Sequence, residues 1–171
     1  ADAVTMRRIS TAIGVTPMAI YRHYPNRAAL INSLADEGFD ALASLLSDGR
    51  YTGGSEERLI RLFDVFLGFA LENPRLFELM FLKPRSGARR YPSDFKAGAS
   101  PTASPVAALV REGMRAGELR RDDAWEITFE MGAMVQGLIM LHLGNRTSLS
   151  RTQFRSLCLR ALRRYFHGIC N

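Results

Sequence analysis

Four helix start and stop signals fall between Thr5 and Asn26, and they leave the chain little freedom there. Thr5 is placed to cap a helix of about Thr5–Ile13, because its hydroxyl can accept a free first-turn N–H. Gly14 stops that helix, since glycine tolerates the left-handed conformation at a helix end. Thr16-Pro17 starts a second helix, with Pro17 at a position where its missing N–H costs nothing. Pro25-Asn26 ends it near Tyr24, and Asn26 caps a third helix of about Arg27–Leu46. Two short helices joined by a tight glycine turn describe a helix-turn-helix. Ser10 and Gly14 supply small residues for the crossing. Ile9, Ile13, Val15 and Ile20 are expected to anchor the pair to the third helix. Leu30, Ile31, Leu34 and Gly38, continued by Leu42 and Leu45, give that helix its expected inward stripe.

The rest of the chain also reads as helix, so the fold class is all-α. Asp48–Ser55 is a turn-rich linker and the expected domain boundary. Residues 1–47 form the head with its connecting helix, and residues 48–171 form the second domain. Helices are expected over about Glu56–Glu72, Arg75–Leu82, Ser104–Ala116, Ala124–Leu143 and Arg151–Phe166. Asp123…Glu126 and Ser150…Gln153 are capping-box patterns opening the last two. Lys83–Pro101, rich in Pro, Gly, Ser and Arg, is too long for an ordinary connection and reads as mobile or functional. Ala124–Leu143 is the most apolar run, but it carries Glu126, Glu130, Gln136 and His142. A membrane span needs apolar character uninterrupted over about 20 residues, so this run reads as a buried helix.

Composition narrows the function. The net charge is +6, and 21 of the 23 basic residues are arginine. Such a balance permits an anionic partner such as nucleic acid or a membrane surface, but an arginine-rich proteome produces the same balance, and charge alone does not separate the two. Cys158 and Cys170 cannot build a disulfide framework, and no zinc-type spacing appears. His23, His142 and His167 lie on different elements. No glycine-rich phosphate loop or G-x-S-x-G string accompanies them, so neither an enzyme nor a cofactor is expected. The chain opens Ala1-Asp2-Ala3-Val4, without Met and without a visible signal peptide, which reads as a processed, trimmed or partly ordered N-terminus.

The string from Ile9 to Leu30 closely resembles the DNA-binding signature of the tetracycline-repressor (TetR) family. That signature runs roughly I-A-x-x-x-G-V-[ST]-x-x-x-[LI]-Y-x-H-[FY]-x-[SN]-[KR]-x-x-L. Gly14-Val15-Thr16, Ile20-Tyr21-Arg22-His23-Tyr24 and Asn26-Arg27 followed by Leu30 all match. Ser10 replaces the usual alanine. The family's first helix would precede Thr5 and is expected to be missing from this chain. Where some members carry Trp-His-Gly, this chain has Val135-Gln136-Gly137.

The resemblance implies a ligand-responsive DNA-binding regulator, a cytoplasmic homodimer and a repressor released from a palindromic operator by a small, largely apolar effector. It places Pro17–Tyr24 in the major groove. Thr16, Pro17, Met18 and Arg22 become base-edge candidates, with Arg22 able to bond guanine bidentately. Tyr21, His23, Thr5 and Arg27 become phosphate contacts, the last two at helix N-termini that attract anions. Tyr24 reads better as core. It also implies an effector pocket, for which Phe63, Phe66, Phe77, Met80, Phe81, Trp125, Phe129 and Met134 are available. The last two helices would form the dimer surface through Ala133, Leu138, Leu141, His142, Phe154, Leu157, Ala161, Leu162 and Tyr165. The rival reading is a helical small-molecule binding protein without specific DNA binding. No membrane partner is expected.

Overall fold

The computed structural model describes residues 5–49 and 51–169. The chain start at Ala1–Val4, Arg50 of the linker, and Cys170 and Asn171 lie outside the described residues. The described residues form helices α1 (Met6–Ile13), α2 (Pro17–His23), α3 (Arg27–Asp48), α4 (Ser55–Glu72), α5 (Pro74–Phe81), α6 (Ser93–Lys96), α7 (Ala103–Ala116), α8 (Ala124–Leu143) and α9 (Arg151–Ile169). Among them no strand occurs, and no helix is long and apolar enough to cross a membrane.

The three caps of the head form as their residue types dictate. Thr5 Oγ1 accepts the Arg8 N–H at 3.2 Å, Thr16 Oγ1 accepts from Ala19 at 3.3 Å, and Asn26 Oδ1 accepts from Ala29 at 2.9 Å. Each satisfies a first-turn donor that the helix itself cannot. Gly14 has φ +74°, and a Cβ there would meet nothing within 4 Å. Its glycine is therefore needed for the left-handed turn and not for close packing. The small residue at the crossing is Ser10, 1% exposed, whose hydroxyl donates to Arg7 O at 2.8 Å.

Met6, Ile20 and Leu30 bury together, with Ile9 and Tyr24 packed against them. Ile13 and Val15 are not among the anchors; they are 63% and 42% exposed. Ile20 and Leu30, which close the small core, come from the other two helices, and Ile13 at the far end of α1 reaches neither. The stripe of α3 also differs from expectation. Leu34 and Leu45 face solvent, while Ala35, Gly38, Phe39, Leu42 and Leu46 turn inward. Two cores set this phase. Leu30 belongs to the head core, and Ala35 onward belongs to the larger core of the second region.

In that larger core α4 packs against α3, α5, α7 and α9, while α8 packs on α7 and α9. Leu59, Leu67, Phe77, Met131, Phe154 and Phe166 are essentially inaccessible. The tightest approaches need glycine. A Cβ on Gly113 would lie 2.8 Å from Ser55 Cβ and 2.9 Å from Leu119 Cδ1. There the Ser55 N–H donates to Glu118 Oε2 at 2.5 Å, tying the start of α4 to the turn after α7.

One of the two capping boxes is complete. Ser150 N–H donates to Gln153 Oε1 at 2.9 Å, and Gln153 N–H donates to Ser150 Oγ at 3.3 Å. At α8 only half forms. Asp123 Oδ1 accepts from Trp125 and Glu126, but the Asp123 N–H is taken by Asp122 Oδ1 at 2.7 Å. α8 is not covered all round, because Phe129, Met140 and Leu141 are 42%, 51% and 49% exposed.

Candidate nucleic-acid interface and effector cavity

The small head core orients α2. With Ile20 held inward at 6% exposure, the residues around it must face outward. Thr16, Pro17, Met18, Tyr21, Arg22 and His23 are all exposed, Met18 by 67% and Tyr21 by 49%. Thr5 is exposed at the cap of α1, and Arg27 is half-buried as the first residue of α3. Tyr24 sits half-buried against the head core, as its core reading expects. The sequence also holds an electrostatic signal that motif reading passes over. From Thr5 to Ala35 there is no Asp or Glu, while Arg7, Arg8, Arg22 and Arg27 fall in that stretch. This head presents hydroxyls, an imidazole and guanidinium groups on an uninterrupted positive background, which suits phosphates and base edges.

The second region holds a cavity of about 620 Å³. Of the eight candidate pocket residues, Phe63, Phe66, Met80, Phe81 and Phe129 line it. Phe77, Trp125 and Met134 do not. Phe77 is fully buried behind Phe66 and Phe81, with ring centroids 5.7 and 4.7 Å away. Trp125 meets Phe95 edge-on and carries Arg111 over its face at 5.0 Å, and Met134 packs on the general core. Residue type makes all eight candidates; which of them meets empty space is decided by the neighbouring elements.

The stretch Lys83–Pro101 is where sequence reading missed most. It contains the single-turn α6 and is pinned over the cavity. Tyr91 stacks on Phe129 at 4.3 Å and 18°, Phe95 meets Phe129 edge-on at 5.8 Å, and Lys96 Nζ pairs with Asp123 at 2.7 Å. On the other side Asn32 Nδ2 donates to Ser86 Oγ at 2.8 Å, and Arg85 reaches Asp36. The loop thus joins α3 to α8. Thr128 and Gln136 of α8 add polar groups to the wall. A mostly apolar cavity with a few placed polar groups is the ordinary form of a small-molecule site.

The expected dimer residues separate into two groups. Leu141 is exposed, and Leu138, Leu157, Ala161 and Tyr165 are partly so. Phe154 and Leu162 are a correction: both are 0% exposed within this single chain, where α9 lies on α4 and α8. They cannot reach a second copy. His142 is partly exposed; it stacks on Phe154 at 4.1 Å and shares a 2.8 Å hydrogen bond with Thr147. Ala133 is exposed and lies at the cavity wall. Tyr165 Oη donates to Glu130 Oε2 at 2.5 Å; burial, then that carboxylate, push its phenol above the usual range. Burial raises the free Cys158 thiol to about 11, the opposite of a reactive cysteine.

The profile described as "Bacterial regulatory proteins, tetR family" matches residues 1–34, and that of "Tetracyclin repressor-like, C-terminal domain" matches residues 59–165. The chain belongs to the TetR family. It is an all-α DNA-binding transcriptional regulator of that family, whose members are regulators and not enzymes. Among curated relatives it is similar to the nucleoid occlusion factor SlmA of Sodalis glossinidius, 26% identical over 157 residues, covering 89% of this chain and 75% of that protein. A match to SlmA of Yersinia enterocolitica, 35% identical over 81 residues, spans 45% of this chain and only 39% of the relative. In fold, a protein with unknown function from Rhodococcus sp. RHA1 gives a TM-score of 0.78 at 22% identity, covering 100% of this chain and 86% of its own. A tetR-family regulatory protein from Rhodococcus RHA1 gives 0.73 at 19% identity, covering 99% and 88%. The TetR regulator PfmR from Thermus thermophilus gives 0.70 at 15%, covering 95% and 84%.

Proposed function

We propose that this TetR-family chain is a homodimeric, cytoplasmic, ligand-responsive repressor, released from a pseudo-palindromic operator by a small, largely apolar effector. Residues 1–47 act as the DNA-binding head with its connecting helix, and residues 48–171 as the effector and dimerisation domain. Thr16, Pro17, Met18 and Arg22 read base edges. Thr5, Tyr21, His23 and Arg27 hold phosphates and fix the register.

The observation that carries this reading is the double membership of α3. Its first turns hold α2 through Leu30, and its later turns supply Phe39 and Leu46 to the cavity wall. An effector that prefers one placement of α3 thereby prefers one placement of the head. A ligand moves such an equilibrium only by its differential affinity for the two states. In the released state the two recognition helices of the dimer no longer match successive major grooves. The exposed Met140 and Leu141 of α8 support a second copy packing there. The similarity to nucleoid occlusion factors adds a second role for comparison, but the cavity favours effector control over it.

Selection of genomic fragments by the full-length protein at fixed physiological salt, followed by footprinting, tests the reading. A protected palindromic site supports it. No enriched site from a folded dimer, with or without a ligand library, transfers the case to a small-molecule binding protein without specific DNA binding.

A further inference from the structure

The effector cavity has a charge as well as a shape. Among the described residues that line it, the charged ones are Lys83, Arg85, Arg89 and Arg90, and none is Asp or Glu. Lys83 is paired outside the wall, with Glu78 at 2.9 Å. Arg85 is the unusual one. Its side chain is 4% exposed, and its buried Nε has no hydrogen-bond partner. Arg85 Nη1 donates to Asp36 Oδ1 at 3.3 Å; Arg89 donates its Nε to Ala99 O at 2.8 Å, while its Nη1 stands 4.0 Å from the same Asp36 oxygen without a hydrogen bond. Two guanidinium groups therefore share one carboxylate, which is itself 54% exposed. Both lie against the Phe39 ring, 5.4 and 5.1 Å from its centroid, so an aromatic face also supports them. Arginine buried with donors unmet is costly, because the group has lost its water and gained too little in return. A second anion at this place would meet those donors, and guanidinium geometry suits a carboxylate or phosphate.

Beside the two guanidinium groups the lining turns apolar: Phe81 meets Phe39 edge-on at 5.1 Å, and Phe63, Phe66 and Phe129 extend that surface. Resting on the effector reading above, we infer that the ligand is an amphipathic organic anion. Its carboxylate or phosphate head sits at Arg85 and Arg89, and its apolar body lies among the phenylalanines. The head competes with Asp36 for the two guanidinium groups. Asp36 stands on α3 between Leu30 of the head core and Phe39 of the cavity, so binding loosens the loop's hold on the helix that carries the head.

The test is direct binding to the full-length protein, by calorimetry, without DNA. The probes are decanoate, decyl phosphate and decanol, which share a body and differ in the head. At least one anion is expected to bind about ten- to a hundred-fold tighter than decanol, as charge-assisted hydrogen bonds would give. The tighter of the two anions identifies the head. Arg89→Met should reduce that preference towards one while leaving decanol binding intact, which also shows that the cavity is still folded. Arg85→Met should do the same where it folds. Equal binding of anion and alcohol, no binding of any probe, or an undiminished preference in Arg89→Met would overturn the inference. Because no DNA is present, its failure and the failure of the regulator reading are separate results.

Discussion

Arg85 reaches from the loop after α5 to Asp36 on α3, donating at 3.3 Å across 49 residues of sequence. This bond ties the segment covering the cavity to the helix that carries the DNA-binding head. Asp36→Asn keeps the shape and removes the charge that Arg85 and Arg89 share. The expected outcome is an altered affinity for operator DNA without any ligand, in a protein whose fold by circular dichroism is unchanged. Identical DNA affinity in the variant would show that the tie does not reach the head.

Tyr21 projects from α2 at 49% exposure beside the inward Ile20. As a phosphate contact it carries no sequence information of its own. Tyr21→Ala should weaken binding to operator and scrambled duplex alike, by about 1 kcal/mol for one lost hydrogen bond. Fluorescence anisotropy at fixed salt reads both. An unchanged affinity would remove α2 from the interface.

Leu141 and Met140 give α8 an exposed apolar face. Leu141→Arg should shift sedimentation from dimer to monomer without loss of helix content, since the side chain is half exposed in its own chain. A persistent dimer would place the seam elsewhere. Phe154 and Leu162 would be poor choices for this experiment, because both are fully buried within the chain. Phe154→Ala should instead unfold the protein at lower denaturant, with a cost of about 3–5 kcal/mol.

The Gly113 contact with Ser55 and Leu119 leaves no room for a methyl group. Gly113→Ala should destabilise by about 1–3 kcal/mol through overpacking, despite the better helix propensity of alanine. Urea denaturation measures this, and a stabilised variant would contradict the packing.

Glu118 accepts the Ser55 N–H, and that hydrogen bond holds its carboxyl below its ordinary value of 4.5. A carboxylate whose folded pKa is depressed adds stability that is fully present above 4.5 and is lost as pH falls through the lower folded value. Glu118→Gln should therefore lower the urea midpoint near neutral pH, and the gap to wild type should shrink in acid. A gap that stays constant with pH would mean that the charge is not involved.

The head is legible in sequence because its determinants are local. Thr5, Thr16 and Asn26 each cap within three residues, and Gly14 turns the chain by its own φ. Beyond it, periodicity shows that a residue points inward but not what it meets. That is why Phe63 and Phe77 look alike in sequence, although only the first borders the cavity. It is also why the α9 stripe reads as a seam, when Phe154 and Leu162 face their own chain. Ile13 and Val15 fit an anchor pattern and are exposed, because the head core is closed from α2 and α3. Arg85 and Arg89 are invisible as site residues in the sequence. Composition marks this Pro-, Gly- and Arg-rich stretch as mobile or functional without saying which side chains matter, and only its fold onto α3 buries a guanidinium.

The most direct test of DNA recognition compares full-length protein on its footprinted fragment with scrambled DNA of equal length, at one physiological salt concentration, for wild type and Arg22→Ala. The wild type is predicted to prefer the footprinted fragment by at least about a thousand-fold. Arg22→Ala is predicted to lose about 1–3 kcal/mol of that discrimination while retaining its affinity for scrambled DNA. Equal binding of both duplexes by the wild type would contradict the assignment of this chain as a sequence-specific regulator.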